Sequence, residues 1–375
     1  MKSDWEKREF QELYSVPSRN GLSKPSKIRG NGYKMINMGE LFANDRIYDI
    51  PMELVPLNDK EKELSQVFPC DLLFARQSLV ASGAGKCSIV METSPLTVFE
   101  SHLIRVRLNT AVADPFFYYY YFKSDRSPIK TIIQHSVQAG IKASDLAKLA
   151  VDCPPLATQK RIAQVLRTFD DKIELNNRIN ENLRQQATVI FDSYYSIDAD
   201  IPMKALSEIA TIKYGKGLPT KELLPNGFPV FGGNGIIGRY NSYLYERPQI
   251  LVSCRGAASG NILVSYPKSF VTNNSLVLEL YDYRYFHFIK QYLLENPLYS
   301  YATGSAQPQI TIDNIKDVQV PYPEYDSIQS LTEQLSYYAD MHYHNICENE
   351  WLASVRDTLL PKLMSGELDV SDIDL

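Results

Sequence analysis

The sequence predicts an α+β protein: two similar mixed α/β domains in pseudo-two-fold arrangement, separated by two long helices that form an antiparallel coiled coil. Three observations predict this. Segments of the chain recur at an offset of 169 residues. Each repeat is followed by an apolar pattern of period 3.5, the mark of a coiled-coil seam. The blocks before these seams hold short Val/Ile/Leu-rich runs bounded by Gly and Pro, which read as strands.

The repeat comes first because it governs the architecture. Gln138-Ala-Gly-Ile141 recurs as Gln307-Pro-Gln-Ile310, and at the same offset Leu146 meets Ile315, Pro154 meets Pro323, Leu166 meets Leu335 and Phe169 meets Tyr338. Upstream, Asp71-Leu-Leu-Phe-Ala-Arg76 resembles Gln249-Ile-Leu-Val-Ser-Cys-Arg255, and Ser82-Gly-Ala-Gly85 resembles Ala257-Ala-Ser-Gly260. Phe10-Gln-Glu-Leu13 followed by Gly21 resembles Leu206-Ser-Glu-Ile209 followed by Gly217. So long a period excludes a solenoid and implies a duplicated molecule. The expected divisions are a first domain at 1–155, a helix at 156–197, a second domain at 198–323, and a second helix with the tail at 324–375.

The first seam runs Ile162, Leu166, Phe169, Ile173, Asn176, Asn180, Leu183, Ala187, Ile190, Tyr194. The second runs Leu331, Leu335, Tyr338, His342, Asn345, Asn349, Leu352, Arg356, Leu359, with a stop expected at Pro361, which lacks the N–H a helix needs. Asn176 and Asn180 correspond to Asn345 and Asn349. Asn in a seam costs stability and fixes register, so the matched pairs predict that the helices pack on each other. Within the blocks, strands are expected at 71–75, 88–91, 102–108, 250–253, 261–265 and 276–280, helices at 116–122 and 286–294, and Gly-rich loops at 232–235, 255–260 and 303–309.

Composition narrows the function. The 375 residues are 44% hydrophobic and 22% charged, which excludes a wholly disordered chain. No apolar run is long enough to span a membrane, and the first residues carry no apolar leader, so a cytoplasmic protein is expected. Five scattered cysteines without a C-x-x-C pair fit reduced thiols rather than a disulfide frame or zinc site. The overall charge of −5 hides an asymmetry. Residues 1–155 carry +2 and residues 201–323 carry +3, whereas residues 324–375 carry −9. Two mildly basic blocks can bind phosphate if their cations share a face.

Catalytic signatures are sought and fail. Gly83-Ala-Gly-Lys86 lacks both the upstream Gly and the following Ser/Thr of a phosphate loop. Asn296-Pro-Leu-Tyr299 and Asp114-Pro-Phe-Phe117 lack the second Pro of an amino-methyltransferase loop, and read as helix or loop ends. His342-Tyr-His344 with Cys347 lies along a seam, where packing outweighs metal ligation. No catalytic or metal-ligating residue is nominated. What remains is a symmetric clamp without an engine, suited to reading two half-sites on duplex DNA. A coiled-coil scaffold with protein-binding domains is the alternative.

One stretch then points to a family. Pro154-Pro-Leu-Ala-Thr-Gln-Lys-Arg-Ile-Ala-Gln-Val-Leu166, continuing through Asp170-Asp-Lys-Ile-Glu-Leu-Asn176, resembles the central conserved region of type I restriction-modification specificity subunits, and Leu359-Leu-Pro-Lys-Leu-Met-Ser-Gly-Glu367 resembles their distal one. Leu206-Ser-Glu-Ile209 with Gly215-Lys-Gly-Leu218, and Gly304-Ser-Ala-Gln-Pro-Gln-Ile310, look like the start and end of their target recognition domains. A departure is Pro321-Tyr-Pro-Glu-Tyr-Asp326, where the second copy lacks the Gln-Lys-Arg-Ile pattern. The resemblance implies a non-catalytic subunit that selects a bipartite double-stranded DNA sequence. It also implies two methyltransferase subunits that supply S-adenosylmethionine and adenine methylation, and motor-nuclease subunits that use ATP with Mg; no cofactor is expected in this chain.

Arg, Asn and Gln are the natural base-edge readers and Lys mainly a phosphate contact. The candidates for DNA contact are Lys24, Arg76, Ser82, Lys86, His102, Gln134 and Lys142 in the first block. In the second they are Lys216, Asn234, Arg255, Ser259, Asn273, Asn274, Ser305, Gln307 and Gln309.

Overall fold

The computed structural model describes residues 5–78, 83–135, 139–195, 201–304 and 307–370. They form two compact units, Met1–Ile173 with Glu350–Leu375, and Glu174–Asn349. The strands appear within about a residue of expectation because their apolar runs are buried on both faces. Leu72–Ala75, Cys87–Val90 and Ile250–Ser253 are buried at every position.

The first unit has a five-stranded sheet in the order Tyr14–Asn20, Leu103–Leu108, Leu72–Ala75, Cys87–Val90, Arg46–Ile47. The second has Ala210–Tyr214, Ser275–Leu280, Ile250–Ser253, Ile262–Val264 in the matching order. Side chains alternate across the sheet. In the first unit Leu72 and Phe74 pack under the helix Pro115–Lys123, while Leu73 and Ala75 pack against Ile36 and Phe99. In the second, Ile250 and Val252 meet Phe286, Phe288 and Ile289, and Leu251 meets Phe231 and Val271. A three-stranded sheet in each unit contains one parallel pairing: Met35 with Val98 and Ile36 with Phe99, then Val230 with Phe270 and Phe231 with Val271.

The two methyltransferase-like stretches prove to be helix ends. Asp114 caps Pro115–Lys123 by accepting the Phe117 N–H at 2.9 Å, with Pro115 at the first position. Asn296 closes the helix Phe286–Glu295, its N–H on the Tyr292 carbonyl at 2.9 Å.

The long helices are Leu156–Tyr195 and Tyr325–Met364, 40 residues each, and their bounds are themselves 169 residues apart. Pro361 lies inside the second, which corrects the expectation that the helix stops there. So close to the end a proline removes a single i→i−4 bond, and Ser365 N–H still reaches the Pro361 carbonyl at 3.0 Å. All thirteen seam residues from Ile162 to Leu183 and from Leu331 to Leu352 named as candidates (Ile162, Leu166, Phe169, Ile173, Asn176, Asn180, Leu183, Leu331, Leu335, Tyr338, Asn345, Asn349, Leu352) are buried or half-buried.

Within the second unit the helices run antiparallel and meet through amides. Asn345 Nδ2 donates to Asn180 Oδ1 at 2.8 Å, and Asn176 Nδ2 donates to Asn349 Oδ1 at 2.9 Å and to Glu348 Oε2 at 2.7 Å. Each Asn therefore meets the repeat counterpart of the other, the self-complementary pattern of a two-fold contact. Asn180 Nδ2 also reaches the His342 carbonyl at 3.3 Å, so His342 serves helix pairing through its backbone. In the first unit Ile162 and Leu166 share a core with Leu363 and Met364, and Arg356 pairs with Asp170. Among the described residues no helix is long and apolar enough to cross a membrane.

Candidate nucleic-acid interface

In the second unit, several loops are stitched together at one end of the sheet. The strand Ile250–Ser253 leads into Cys254, whose N–H donates to the Asn274 carbonyl at 3.0 Å and whose carbonyl accepts the Ile310 N–H at 3.1 Å. Ser253 Oγ donates to the Gly233 carbonyl, and a side chain at Gly233 would stand 3.2 Å from the Asn274 oxygen. Lys216 N–H donates to Val271 at 3.0 Å. Arg255 bridges Gln309, which exchanges two 2.8 Å bonds with Thr303. This framework brings Lys216, Asn234, Arg255, Asn274, Gln307 and Gln309 together as exposed side chains, with Asn273 half-buried among them. Ser259 is different: it is buried and donates its hydroxyl to the Pro308 carbonyl at 2.8 Å, so it fixes a loop from within. Ser305 lies outside the described residues. Beneath Arg255, burial pushes the Cys254 thiol up, which keeps it uncharged.

The first unit repeats the framework with different side chains. Arg76 N–H donates to the His102 carbonyl at 2.8 Å, Ile141 N–H donates to the Arg76 carbonyl at 2.9 Å, and Leu22 N–H donates to Phe99 at 2.8 Å. His102 is exposed beside Glu100, at 3.1 Å, and Lys142 is exposed ahead of a short helix. Gln134 donates to Asp145 at 3.2 Å, on a strand pair that extends to Gln77–Ser78. Lys24 is an ion-pair residue: its ammonium lies 2.8 Å from Glu61 and is largely covered. Lys86 binds the Phe42 carbonyl and, with Lys123, the carboxylate of Asp45. Burial pushes Asp45 up, but the two ammonium groups outweigh it and hold the carboxyl below its usual range. The charge of Lys86 is thus largely spent internally. Ser82 lies outside the described residues.

Two sequence equivalences shift. Gln77, not Arg76, is the counterpart of Arg255: Gln77 pairs with Gly140 as Arg255 pairs with Gln309. Adjacent strand residues face opposite ways, so a one-residue offset changes which side chain meets solvent. Likewise Gly21 corresponds to Gly215 rather than Gly217, because the strand Tyr14–Asn20 carries two register shifts that its counterpart Ala210–Tyr214 lacks. Sequence reasoning also missed Ile236 and Ile237, exposed on the strand that follows Asn234. Their apolar character beside the Gly233-Asn234 turn was the available signal.

Comparison with known proteins bears on this architecture. The family described as Type I restriction modification DNA specificity domain matches residues 2–185 and 199–338. The type I restriction enzyme MjaIX specificity subunit of Methanocaldococcus jannaschii is 24% identical, over 99% of this chain and 95% of that protein. The putative MjaX specificity subunit of the same organism is 22% identical, over 98% and 94%. Among solved structures, the S subunit of the type I restriction-modification system from M. genitalium superposes with a TM-score of 0.58 at 19% identity, covering 96% of each chain, which establishes a shared fold. This chain belongs to the family of type I restriction-modification specificity subunits.

Proposed function

We propose that this chain is the non-catalytic reader of a bipartite duplex DNA site, each unit taking one half. The observation that carries this is the convergence of Lys216, Asn234, Arg255, Asn274 and Gln309 on a framework whose backbone bonds at Lys216, Cys254 and Ile310 the first unit repeats at Leu22, Arg76 and Ile141. Cations and amides on one rim can hold phosphate and read base edges at once. The long helices would seat two methyltransferase subunits, and exposed Leu175, Val189, Tyr337 and Trp351 supply apolar surface for them. Those subunits would bring S-adenosylmethionine and methylate adenine. A motor-nuclease subunit would bring ATP with Mg, and the assembly would act in the cytoplasm.

Methylation mapping of a host with and without this chain tests the proposal. The expected result is a split motif that appears only with the chain; no change in the methylated sites would refute it. Removing one heptad from each long helix is expected to alter the gap in that motif or abolish methylation. Arg255→Glu is expected to weaken binding to the mapped duplex by about 10- to 100-fold at fixed salt, the weight of one base-edge or phosphate contact turned repulsive.

A further inference from the structure

We propose that the hairpin at residues 228–240 enters the major groove, and that Ile236 and Ile237 at its tip contact the methyl group of a thymine in the half-site read by the second unit. This rests on the reading of the chain as a bipartite DNA reader.

The hairpin joins Phe228–Gly232 to Gly235–Tyr240 through the two-residue turn Gly233-Asn234. Phe228–Gly232 pairs on its other side with Phe270–Val271, whereas Gly235–Tyr240 is the edge strand. The register shifts between Val230 and Phe231, so Ile236 and Ile237 together oppose the single Phe231 in a bulge that suspends the usual alternation. Ile236 is 44% and Ile237 47% exposed there, so both stand open beside the turn. Gly232 makes room for one of them, since a Cβ there would lie 2.8 Å from Ile237 Cγ2. Neither isoleucine belongs to a core cluster among the described residues.

The surroundings name the partner. Asn234 sits in the turn itself, Asn274 lies against Gly233, and Lys216 and Arg255 share the same framework. An apolar tip ringed by amides and cations complements a polyanion whose groove floor carries hydrocarbon. The major groove admits a two-stranded ribbon, and thymine alone among the standard bases offers a methyl there. Isoleucine has no hydrogen bond to give, so the methyl is the base-edge feature it can recognise. The first unit keeps the strand pairing but not the tip: Tyr33–Ile36 pairs antiparallel with Glu53–Val55, and between them the chain runs through the helix Met38–Ala43. The tip thus lies where the two halves of the framework diverge, as reading of unlike half-sites requires.

The test uses the full chain assembled with its methyltransferase subunits and the duplex found by methylation mapping. The half-site of the second unit is the half at which Arg255→Glu relaxes the motif. Each thymine of that half is replaced in turn by uracil, which removes only the methyl. Wild-type binding should fall about fourfold at one thymine, the weight of one buried methyl. The Ile236→Ala/Ile237→Ala double variant should bind the parent duplex more weakly and no longer distinguish uracil from thymine there. It should still bind with the wild-type response to uracil in the other half, which shows that it is folded. A second half-site without an A·T pair overturns the proposal. So does a half-site indifferent to every uracil, or a fourfold loss that persists in the double variant. A variant that binds weakly beside a uracil-insensitive wild type would mean insertion between bases instead. If no split motif maps at all, the bipartite reading itself fails first.

Discussion

Gly215→Ala should destabilise the second unit by about 1–3 kcal/mol, the usual cost of overpacking, and weaken duplex binding, whereas Gly217→Ala should stay within about 0.5 kcal/mol of wild type. A Cβ at Gly215 would stand 2.3 Å from the Thr272 carbonyl oxygen and 2.5 Å from that of Val271. Both obstacles are backbone, so no rotamer change relieves them. The two segments are also tied there, by Gly215 N–H on the Ser275 carbonyl at 3.1 Å and Lys216 N–H on the Val271 carbonyl at 3.0 Å. Relief means opening the contact that carries Lys216 to the rim. Around Gly217 nothing lies within 4 Å. The same clash awaits Gly21→Ala in the first unit, 2.1 Å from the Phe99 oxygen. Urea unfolding and a duplex titration at fixed salt check both effects. Equal behaviour of the Gly215 and Gly217 variants would overturn the structural pairing of Gly21 with Gly215.

That pairing also shows where sequence reading ran out. The central strands were legible because burial on both faces forces unbroken apolar runs such as Leu72-Leu-Phe-Ala75 and Ile250-Leu-Val-Ser253. The helix pairing was legible because buried Asn176 and Asn180 break an apolar seam at repeat-related positions. The extra residues in Tyr14–Asn20 were not, since a bulge inserts length without changing composition. Those insertions misplaced the glycine equivalence. The fates of Lys24 and Lys86 were hidden for another reason. Their carboxylate partners, Glu61 and Asp45, are 37 and 41 positions away, and nothing local announces an ion pair across such a span. Exposed cations look alike in sequence whether they are free to meet phosphate or already neutralised. The hairpin tip was read for its glycines, which mark the turn, while the isoleucines beside them hold its chemistry.

Arg356→Met should cost about 3–5 kcal/mol, the price of leaving a buried carboxylate without its cation. Asp170 is 7% exposed and has two partners, the Tyr120 hydroxyl at 2.6 Å and the Arg356 guanidinium. Burial would lower the guanidinium, but pairing with Asp170 outweighs it and raises Arg356 above its ordinary value. A raised base contributes stability that is lost only as pH rises through its folded-state value, so this contribution is complete across neutral pH. The pair links the helices Leu156–Tyr195 and Tyr325–Met364 inside the first unit. Removing the cation leaves Tyr120 alone to satisfy the charge. Adding Asp170→Asn to the Arg356→Met variant removes that charge while keeping an acceptor for Tyr120, so the double variant should recover a substantial part of the loss. Urea unfolding of the four proteins in the cycle measures this. If the double variant is less stable than Arg356→Met by the full cost of Asp170→Asn alone, the two groups act independently, and the seam in the first unit is held by its leucines rather than by this ion pair.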